Sequence, residues 1–291
     1  MAPSGTQFGV MQGRLVPPEP GRFQAFPRER WRDEIAFAKD AGLDYIEWIY
    51  DDYGASANPV ATDEGIAELH ALQARYGIAT PALCGDWFMD FPLIRCAEAE
   101  RTAREAFLHE LLWRAAKIGA WRVVMPFVDA SSIQTAEEQE AVLGVLRRAL
   151  PVAETAGVEI HLEADFDPPT FAAFLARIPH PMLKVNYDTG NSSGLGYVAG
   201  EEFAAYGDRI GSIHIKDRLR KPGGGIATMP LGQGSADFDD VFAAVRRIGY
   251  RGGFTLQVAR GADGDEVNWI RQQLAFLRRY VDRTDGSANQ R

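Results

Sequence analysis

The stretch VAETAGVEIHLEA, residues 152–164, carries the pattern that decides the fold: a helical segment, then a glycine, then a short apolar strand. The same pattern recurs in four more stretches, at 38–49, 72–83, 114–127 and 244–258. In each stretch the glycine stands where a helix would end in the left-handed conformation, which glycine adopts at little cost. These glycines are Gly42, Gly77, Gly119, Gly157 and Gly249. The repeated unit indicates an α/β fold.

Eight segments are predicted as strands, near residues 7–10, 44–48, 79–83, 122–127, 158–163, 182–187, 210–215 and 253–258. A helical segment follows each strand, although the sixth, about 199–206, is short. Eight strand–helix units in one chain favour a single closed (β/α)8 TIM barrel. A doubly wound open sheet is the alternative, which the lack of a GxGxxG motif after the first strand disfavours. We predict one domain over residues 1–282 and a flexible C-terminal tail over 283–291.

Composition narrows the classes of function. The chain has 291 residues, 46% of them hydrophobic, and a formal net charge of −9, which disfavours nucleic acid as a partner. The sequence contains neither a segment of about 20 apolar residues nor a signal peptide at its start, so we expect no membrane association. The two cysteines, Cys84 and Cys96, suggest a reduced cytoplasmic protein, with a disulfide between them as the alternative. Homo-oligomerisation is compatible with all of this.

Four polar residues come at or near the ends of the last four predicted strands. They are Glu163 in EIHLEAD, Asp188 in LKVNYD, His214 in GSIHIKD and Gln257 in GGFTLQV. Because the carboxyl ends of parallel strands meet at one end of a barrel, we expect these side chains to converge. Two carboxylates, an imidazole and an amide oxygen are suitable ligands for Mn²⁺, Mg²⁺, Co²⁺ or Zn²⁺. The sequence therefore predicts a divalent metal site.

Each of these residues also has an ordinary structural interpretation. Glu163 can lie in water above the barrel rim, and Asp188 can cap a turn in DTGN. His214 and Gln257 can be hydrogen-bonded residues of the barrel interior. The metal interpretation gains weight because all four follow one another on successive strands.

The order of Glu, Asp and His on strands 5 to 7, together with HIKDR at 214–218 and PLGQGSADF at 230–238, resembles a known family. It is the sugar isomerase/epimerase branch of the xylose isomerase-like barrels, which includes ketose 3-epimerases, hydroxypyruvate isomerase, inosose dehydratase and endonuclease IV. The resemblance covers residues 7–280. In that family Glu, Asp, His and a second Glu hold a divalent ion, and the matching positions here are Glu163, Asp188, His214 and Gln257.

Gln257 departs from the family pattern. The two glutamates of the ketose epimerases are also the bases on opposite faces of the substrate, whereas an amide can ligate a metal but cannot accept a proton near neutral pH. Glu163 is therefore the predicted base, with Gln257 at the second catalytic position. For a second proton-transfer group, His161, Asp217 and Glu47 remain open alternatives.

The predicted strand-to-helix loops are long at 11–28, 84–96 and 216–235, and functional loops of a barrel lie on that face. Aromatic residues there suit a sugar ring or, alternatively, form a cluster over the barrel mouth. Lys216, Arg218, Arg220 and Lys221, followed by Gly223–Gly225, are either a phosphate site or a solvated charged run. The predicted substrate contacts are Glu47, Trp48, Trp87, His161, Asn191, Lys216, Asp217 and Arg218.

The function predicted from these features is a metal-dependent isomerase or epimerase of a sugar or sugar phosphate, acting through an enediolate. A keto-sugar lyase or dehydratase on the same metal site is one alternative. A catalytically silent sugar-binding barrel is another, suggested by Gln257. DNA repair is disfavoured because the chain has only five histidines and a net negative charge.

Overall fold

The structure is a computed structural model that describes residues 5–221 and 225–286. Within these residues, eight parallel strands close into a barrel, in which each strand pairs with the next and the last pairs with the first. They are β1 Phe8–Met11, β2 Tyr45–Ile49, β3 Ala79–Cys84, β4 Arg122–Phe127, β5 Glu159–Ala164, β6 Leu183–Asp188, β7 Ile210–Ile215 and β10 Phe254–Leu256. The predicted closed (β/α)8 barrel is confirmed, and the open-sheet alternative is wrong.

Two further strands and ten helices lie outside the barrel wall of the described chain. The strands β8 Asp217–Arg220 and β9 Ile226–Met229 form a separate antiparallel pair after β7. The helices are α1 Trp31–Ala41, α2 Asp63–Tyr76, α3 Trp87–Asp90, α4 Glu98–Lys117, α5 Ala136–Ala156, α6 Pro168–Ala176, α7 Thr189–Leu195, α8 Ala199–Tyr206, α9 Phe238–Arg247 and α10 Glu266–Gly286.

Glycine ends the helices where the sequence predicts it. Gly157, directly after α5, has a φ of 68°, and Gly42, after α1, has a φ of 78°. Their N–H groups donate to carbonyls of the last helical turn, so the chain reverses at once into the next strand. These short connections lie at the amino-terminal end of the barrel, which leaves the long loops for the other end.

The helices cover the barrel with their apolar faces. The apolar stripe on α4 is fully buried: Leu108, Leu111, Leu112 and Ala115 have no exposed surface. The same is true of Val142, Val145 and Leu146 on α5. This packing explains why the barrel strands are apolar on their outer side, and it makes a polar residue inside the barrel noteworthy.

The last helix ends at Gly286, and of the tail expected at 283–291, residues 287–291 lie outside the described part of the chain. The single-domain boundary at residue 282 stays a prediction. Across the described residues, every helix is too short or too polar for a membrane span.

Candidate metal centre and substrate cavity

Three side chains meet at the carboxyl-terminal mouth of the barrel, on adjacent strands. Glu163 is near the end of β5, Asp188 ends β6 and His214 lies in β7, in register with Asp188. All three are buried, and one ligand atom of each lies within 4.8 Å of those of the other two. The structure thus brings together three of the four residues for which the sequence predicts metal binding.

Two asparagines hold the carboxylate of Glu163. Asn186 donates from Nδ2 to Oε2 of Glu163 at 2.8 Å, and Asn191 donates to Oε1. Asn186 is itself oriented by Ser212, whose hydroxyl donates to its Oδ1 at 2.6 Å. Because both oxygens accept hydrogen bonds from neutral amides, the carboxylate is kept in one orientation without a fixed counter-charge on those donors.

The two carboxylate oxygens of Asp188 have different contacts, one with the backbone and one with the cluster. Its Oδ1 accepts the N–H groups of Gly190 and Asn191, both at 2.8 Å, and so caps the short helix α7. Its Oδ2 faces the Nζ of Lys216 at 3.4 Å. The turn-cap interpretation of Asp188 is therefore confirmed, and its second oxygen is left facing the cluster.

His214 is oriented as a metal ligand. Its Nε2 lies 2.8 Å from Oε1 of Glu47, which directs the Nε2 proton to that carboxylate. Its Nδ1 is buried, lies 3.4 Å from Oε2 of Glu163 and has no hydrogen-bond partner among the described residues. A histidine whose second nitrogen is held by a carboxylate is the usual arrangement behind a metal. The orphaned Nδ1, with two carboxylates beside it, fits a divalent ion.

Charge within the barrel supports the same arrangement. Burial alone would raise the pKa of Glu47, but the charge and hydrogen bond of His214 and the charge of Arg122 outweigh it and hold that pKa at about 2. Burial opposes a charged His214, yet Glu47 and Glu163 raise its pKa to about 10. A metal ion at Nδ1 has to displace this proton, so binding of the ion and release of a proton are linked.

Gln257 follows β10 and faces Lys216. The Nζ of Lys216 donates to Oε1 of Gln257 at 3.0 Å and lies 3.3 Å from Oδ1 of Asn191. The amide nitrogen of Gln257 points away and donates to Oε1 of Gln24 at 3.1 Å. The amide oxygen of Gln257 is therefore the atom turned toward the cluster, as a ligand role requires. Lys216 is buried and carries a fixed positive charge at this position.

A cavity of about 250 Å³ opens above these residues. Of the residues expected to contact substrate, Asn191, Lys216 and Arg218 line it, together with Glu163 and Gln257. The remaining wall comes from the ends of β3 and β4 and from the segments that follow β1 to β4: Arg22, Phe23, Gln24, Asp51, Cys84, Asp86, Met89, Asp90, Pro126, Val128 and Asp129. The wall is rich in polar groups that suit the hydroxyls of a small polar ligand.

The other predicted substrate contacts lie elsewhere. Trp48 is fully buried against Trp31 and Phe26, outside the cavity, because alternate residues of β2 point away from the barrel axis. Glu47 lies behind His214 rather than beside the cavity. Trp87 packs on Phe91 and other aromatic side chains, in agreement with the cluster alternative.

His161 and Asp217 also have structural partners. The ring of His161 lies deep in the barrel between Glu159 and Ser212, at 2.8 Å and 2.7 Å. Asp217 accepts the N–H groups of Gly232, Gly234 and Ala236 and so clamps the loop after β9. Neither residue lines the cavity, which corrects the expectation that they contact substrate.

The basic run after β7 is divided by the hairpin. Lys216 and Arg218 line the cavity, whereas Arg220 and Lys221 are exposed on its far side. Gly223 and Gly224 lie outside the described residues. Only the first two basic residues are thus placed to meet a ligand in the cavity.

Sequence reasoning missed Asn186, Gln24 and Asp86. Asn186 precedes Asp188 by two residues and so shares its face of β6, a signal that the alternation contains. Gln24 and Asp86 lie in the long loops expected to carry function, but no local pattern distinguishes them there.

The sequence matches the xylose isomerase-like TIM barrel family over residues 35–280. It is 23% identical over 250 residues to the putative L-ribulose-5-phosphate 3-epimerase SgbU of Escherichia coli, covering 78% of this chain and 83% of that protein. The structure of L-ribulose 3-epimerase matches with a TM-score of 0.76, 18% identity and coverage of 97% of both chains. That of the IOLI protein with a bound zinc atom matches with a TM-score of 0.72, 16% identity and coverage of 96% and 97%.

Proposed function

We propose that this chain, which belongs to the xylose isomerase-like TIM barrel family, is a metal-dependent isomerase or epimerase of a sugar or sugar phosphate. The observation that carries the proposal is the cluster of Glu163, Asp188 and His214, with the orphaned Nδ1 of His214, in which Glu163 also lines the cavity. The named relatives that act on ketose sugars support the substrate class.

In this proposal Glu163 is the base. Its carboxylate borders the cavity and takes a proton from the carbon next to the substrate carbonyl. Asn186 and Asn191 hold it in place, so that little reorientation is needed for proton transfer. A divalent ion bound nearby would polarise the carbonyl and stabilise the charge that develops on its oxygen.

The ion would be held by Glu163, Asp188 and His214, with the amide oxygen of Gln257 as the fourth ligand. Mn²⁺, Mg²⁺, Co²⁺ and Zn²⁺ all accept such a mixture of oxygen and nitrogen donors. The outward turn of the amide nitrogen toward Gln24 supports the ligand role of Gln257. Lys216 shares these oxygens, and its charge is available to a substrate oxyanion.

Arg218 and Arg22 support a sugar phosphate as one of the two proposed substrate classes. Both line the cavity, and a guanidinium binds a phosphate through two parallel hydrogen bonds. A free sugar needs neither charge, so comparison of a ketose with its phosphate separates the two substrate classes.

We also propose a cytoplasmic location and self-association. Cys84 and Cys96 are free thiols, as a reducing compartment maintains. Trp113 and Trp121 are 46% and 44% exposed, which is consistent with contact between copies of the chain. Light scattering of the purified protein measures the oligomeric state.

The test is solvent deuterium incorporation by the Mn²⁺-loaded enzyme into L-ribulose, L-ribulose 5-phosphate and D-fructose. We expect exchange in the wild type and a loss of about 10²-fold or more in Glu163→Gln. Glu159→Gln is the matched control, because it makes the same change on the same strand at the far end of the barrel. Gln257→Glu should preserve exchange.

Three outcomes would contradict the proposal. Exchange by Glu163→Gln at the wild-type rate places the base elsewhere. Release of water or an alcohol identifies a lyase. Metal binding without any exchange identifies a silent sugar-binding barrel.

A further inference from the structure

The chain lacks a second base at the position where Gln257 stands, and inversion at a carbon needs one. A proton removed from one face by Glu163 must be replaced from the opposite face by a different group, since one side chain cannot reach both. Glu47 and His161 are enclosed by protein, and Asp217 is occupied by three backbone N–H groups. The proton donor therefore has to come from the cavity wall.

We propose that Asp86 is the second acid–base group of this enzyme, the one that delivers a proton to the substrate face opposite Glu163. The inference rests on the proposed function, because it concerns the same cavity and the same reaction. It assigns epimerisation, rather than isomerisation alone, as the chemistry that the site can complete.

Asp86 lies directly behind the end of β3 and faces the cavity together with Glu163 and Gln257. Asp86 follows β3, whereas Glu163 lies near the end of β5, and one strand, β4, separates β3 from β5 in the closed barrel. A ligand bound between these two carboxyl groups has Glu163 on one side and Asp86 on the other. Proton transfer to a second face requires such an arrangement.

Hydrogen bonds join Asp86 to the metal cluster through one residue. Nε2 of Gln24 donates to Oδ2 of Asp86 at 2.7 Å, and Oε1 of Gln24 accepts from Gln257 at 3.1 Å. The thiol of Cys84 donates to Oδ1 of Asp86 at 3.1 Å. These contacts orient Asp86 but supply no cation in direct contact with it, so the carboxyl group is not locked in its ionised form.

The surroundings of Asp86 favour a group that exists both protonated and ionised near neutral pH. Burial raises the pKa of Asp86 to about 6, with further increases from the charges of Asp51 and Glu163, against the hydrogen bonds of Gln24 and Cys84. Arg14, held by Gln24 and the carbonyls of Phe23 and Val258, is one nearby cation, and Arg22, Lys216 and Arg218 line the same cavity. An acid that donates and recovers a proton works best with such a pKa.

The other carboxylates on the cavity wall fit the role less well. Asp51 accepts the N–H of Gly54 with Oδ1 at 2.8 Å and that of Phe26 with Oδ2 at 2.9 Å, so both oxygens hold the backbone. Asp90 and Asp129 are exposed to water at the rim. Asp86 combines partial burial, orientation and access to the cavity.

Two protons move in the proposed reaction. Glu163 takes the proton from the carbon beside the carbonyl, and the C–H electron pair forms the C=C bond of the enediolate. The O–H bond of Asp86 then breaks, its proton bonds to the opposite face of the same carbon, and the carbonyl is restored. Glu163 ends protonated and Asp86 ionised, and exchange with water returns both to their starting forms.

The test separates the two proton transfers. The Mn²⁺-loaded wild type, Asp86→Asn and Asp86→Glu are incubated in D₂O with L-ribulose, L-ribulose 5-phosphate or D-fructose. Deuterium in the recovered substrate reports transfer by Glu163, and the amount of epimer reports delivery to the other face. We expect Asp86→Asn to exchange within about threefold of the wild type, to form epimer about 10²-fold more slowly and to keep its KM. Asp86→Glu should restore part of the epimer.

Gln24→Met and Asp90→Asn are the controls. If Asp86 serves only to anchor Gln24, then Gln24→Met and Asp86→Asn lose exchange and epimer formation in equal measure, which overturns the inference. Epimer formation by Asp86→Asn at the wild-type rate overturns it too, as does a wild type that exchanges but makes no epimer. A wild type that exchanges no proton with any of the sugars refutes the proposed function itself.

Discussion

Replacing Glu47 with Gln should weaken metal binding at the proposed site, although Glu47 lies behind His214 and is not itself a proposed ligand. Glu47 is fully buried, and its Oε1 lies 2.8 Å from Nε2 of His214. Its charge keeps the proton on Nε2 and makes Nδ1 a better ligand. An amide in its place retains an oxygen but loses the charge, and it can also turn its nitrogen toward His214.

The size of the effect follows from these contacts. A hydrogen bond to a charged group contributes about 1 kcal/mol more than a neutral one, which is about fivefold in a dissociation constant. Loss of a partner behind a metal ligand generally weakens binding by about 10- to 100-fold. We therefore expect Glu47→Gln to raise the Kd for Mn²⁺ by about one to two orders of magnitude.

Glu47→Gln should also lower the stability of the fold, which is a separate effect from weaker metal binding. Arg122 lies 3.7 Å from Oε2 of Glu47 and is also buried, so the substitution leaves that guanidinium without its counter-charge. We expect the metal-free protein to lose about 3 kcal/mol of stability. Glu202→Gln is the matched control, because Glu202 is a buried carboxylate whose hydrogen bonds come from the hydroxyl groups of Tyr187, Ser192 and Tyr206 rather than from the proposed metal ligands. It should destabilise the fold and leave the Kd for Mn²⁺ unchanged.

Titration calorimetry with Mn²⁺ on folded protein, checked by circular dichroism, measures the dissociation constant. An unchanged Kd in folded Glu47→Gln would refute the reasoning about His214. A wild type that binds no Mn²⁺ would instead refute the metal site as a whole.

Three further predictions concern stability and charge. Burial raises the pKa of Glu34 to about 7, so between pH 4.5 and 7 the folded chain binds more protons than the unfolded chain and stability falls as pH rises through that window. Glu34→Gln should remove this dependence of stability on pH and should raise stability at pH 8 by about 3 kcal/mol. Urea unfolding of both proteins at pH 5 and pH 8 measures the effect. The same change in stability between the two pH values in both proteins would contradict the prediction. Gly157→Ala should lower the stability of the fold by about 1 kcal/mol, because Gly157 has a φ of 68°. Gly144→Ala, inside α5, should instead raise the stability by about 0.5–1 kcal/mol. Equal melting temperatures for the two variants would argue against the helix-end role of Gly157. Lys216→Met should tighten Mn²⁺ binding about threefold or more, because it removes a buried positive charge beside Asp188. Weaker Mn²⁺ binding by this variant would instead show that Lys216 holds the site in shape.

Much of the architecture is readable from local chemistry. The helix-ending glycines and the short apolar strands predict the barrel, because both depend on neighbours within a few residues. Once the barrel is predicted, the convergence of Glu163, Asp188 and His214 follows from it, because the parallel strands of a barrel place their carboxyl ends together. The role of Asp188 as a cap was visible in DTGN.

The partners of those residues were decided by the closed barrel. Glu47 is 167 positions from His214 in the chain, yet it holds the imidazole, and Trp48 beside it points the other way. Such contacts depend on how the strands tilt and pair around the ring, which local patterns do not contain.

The same holds for the loops. Gln24 and Asp86 are 62 positions apart and meet only because the loops after β1 and β3 fold over the same mouth. Local patterns in the amino-acid sequence are enough to show which residue types stand at the strand ends. Tertiary structure alone decided which side chains share the cavity, since side-chain direction and loop path are set by packing across the whole barrel.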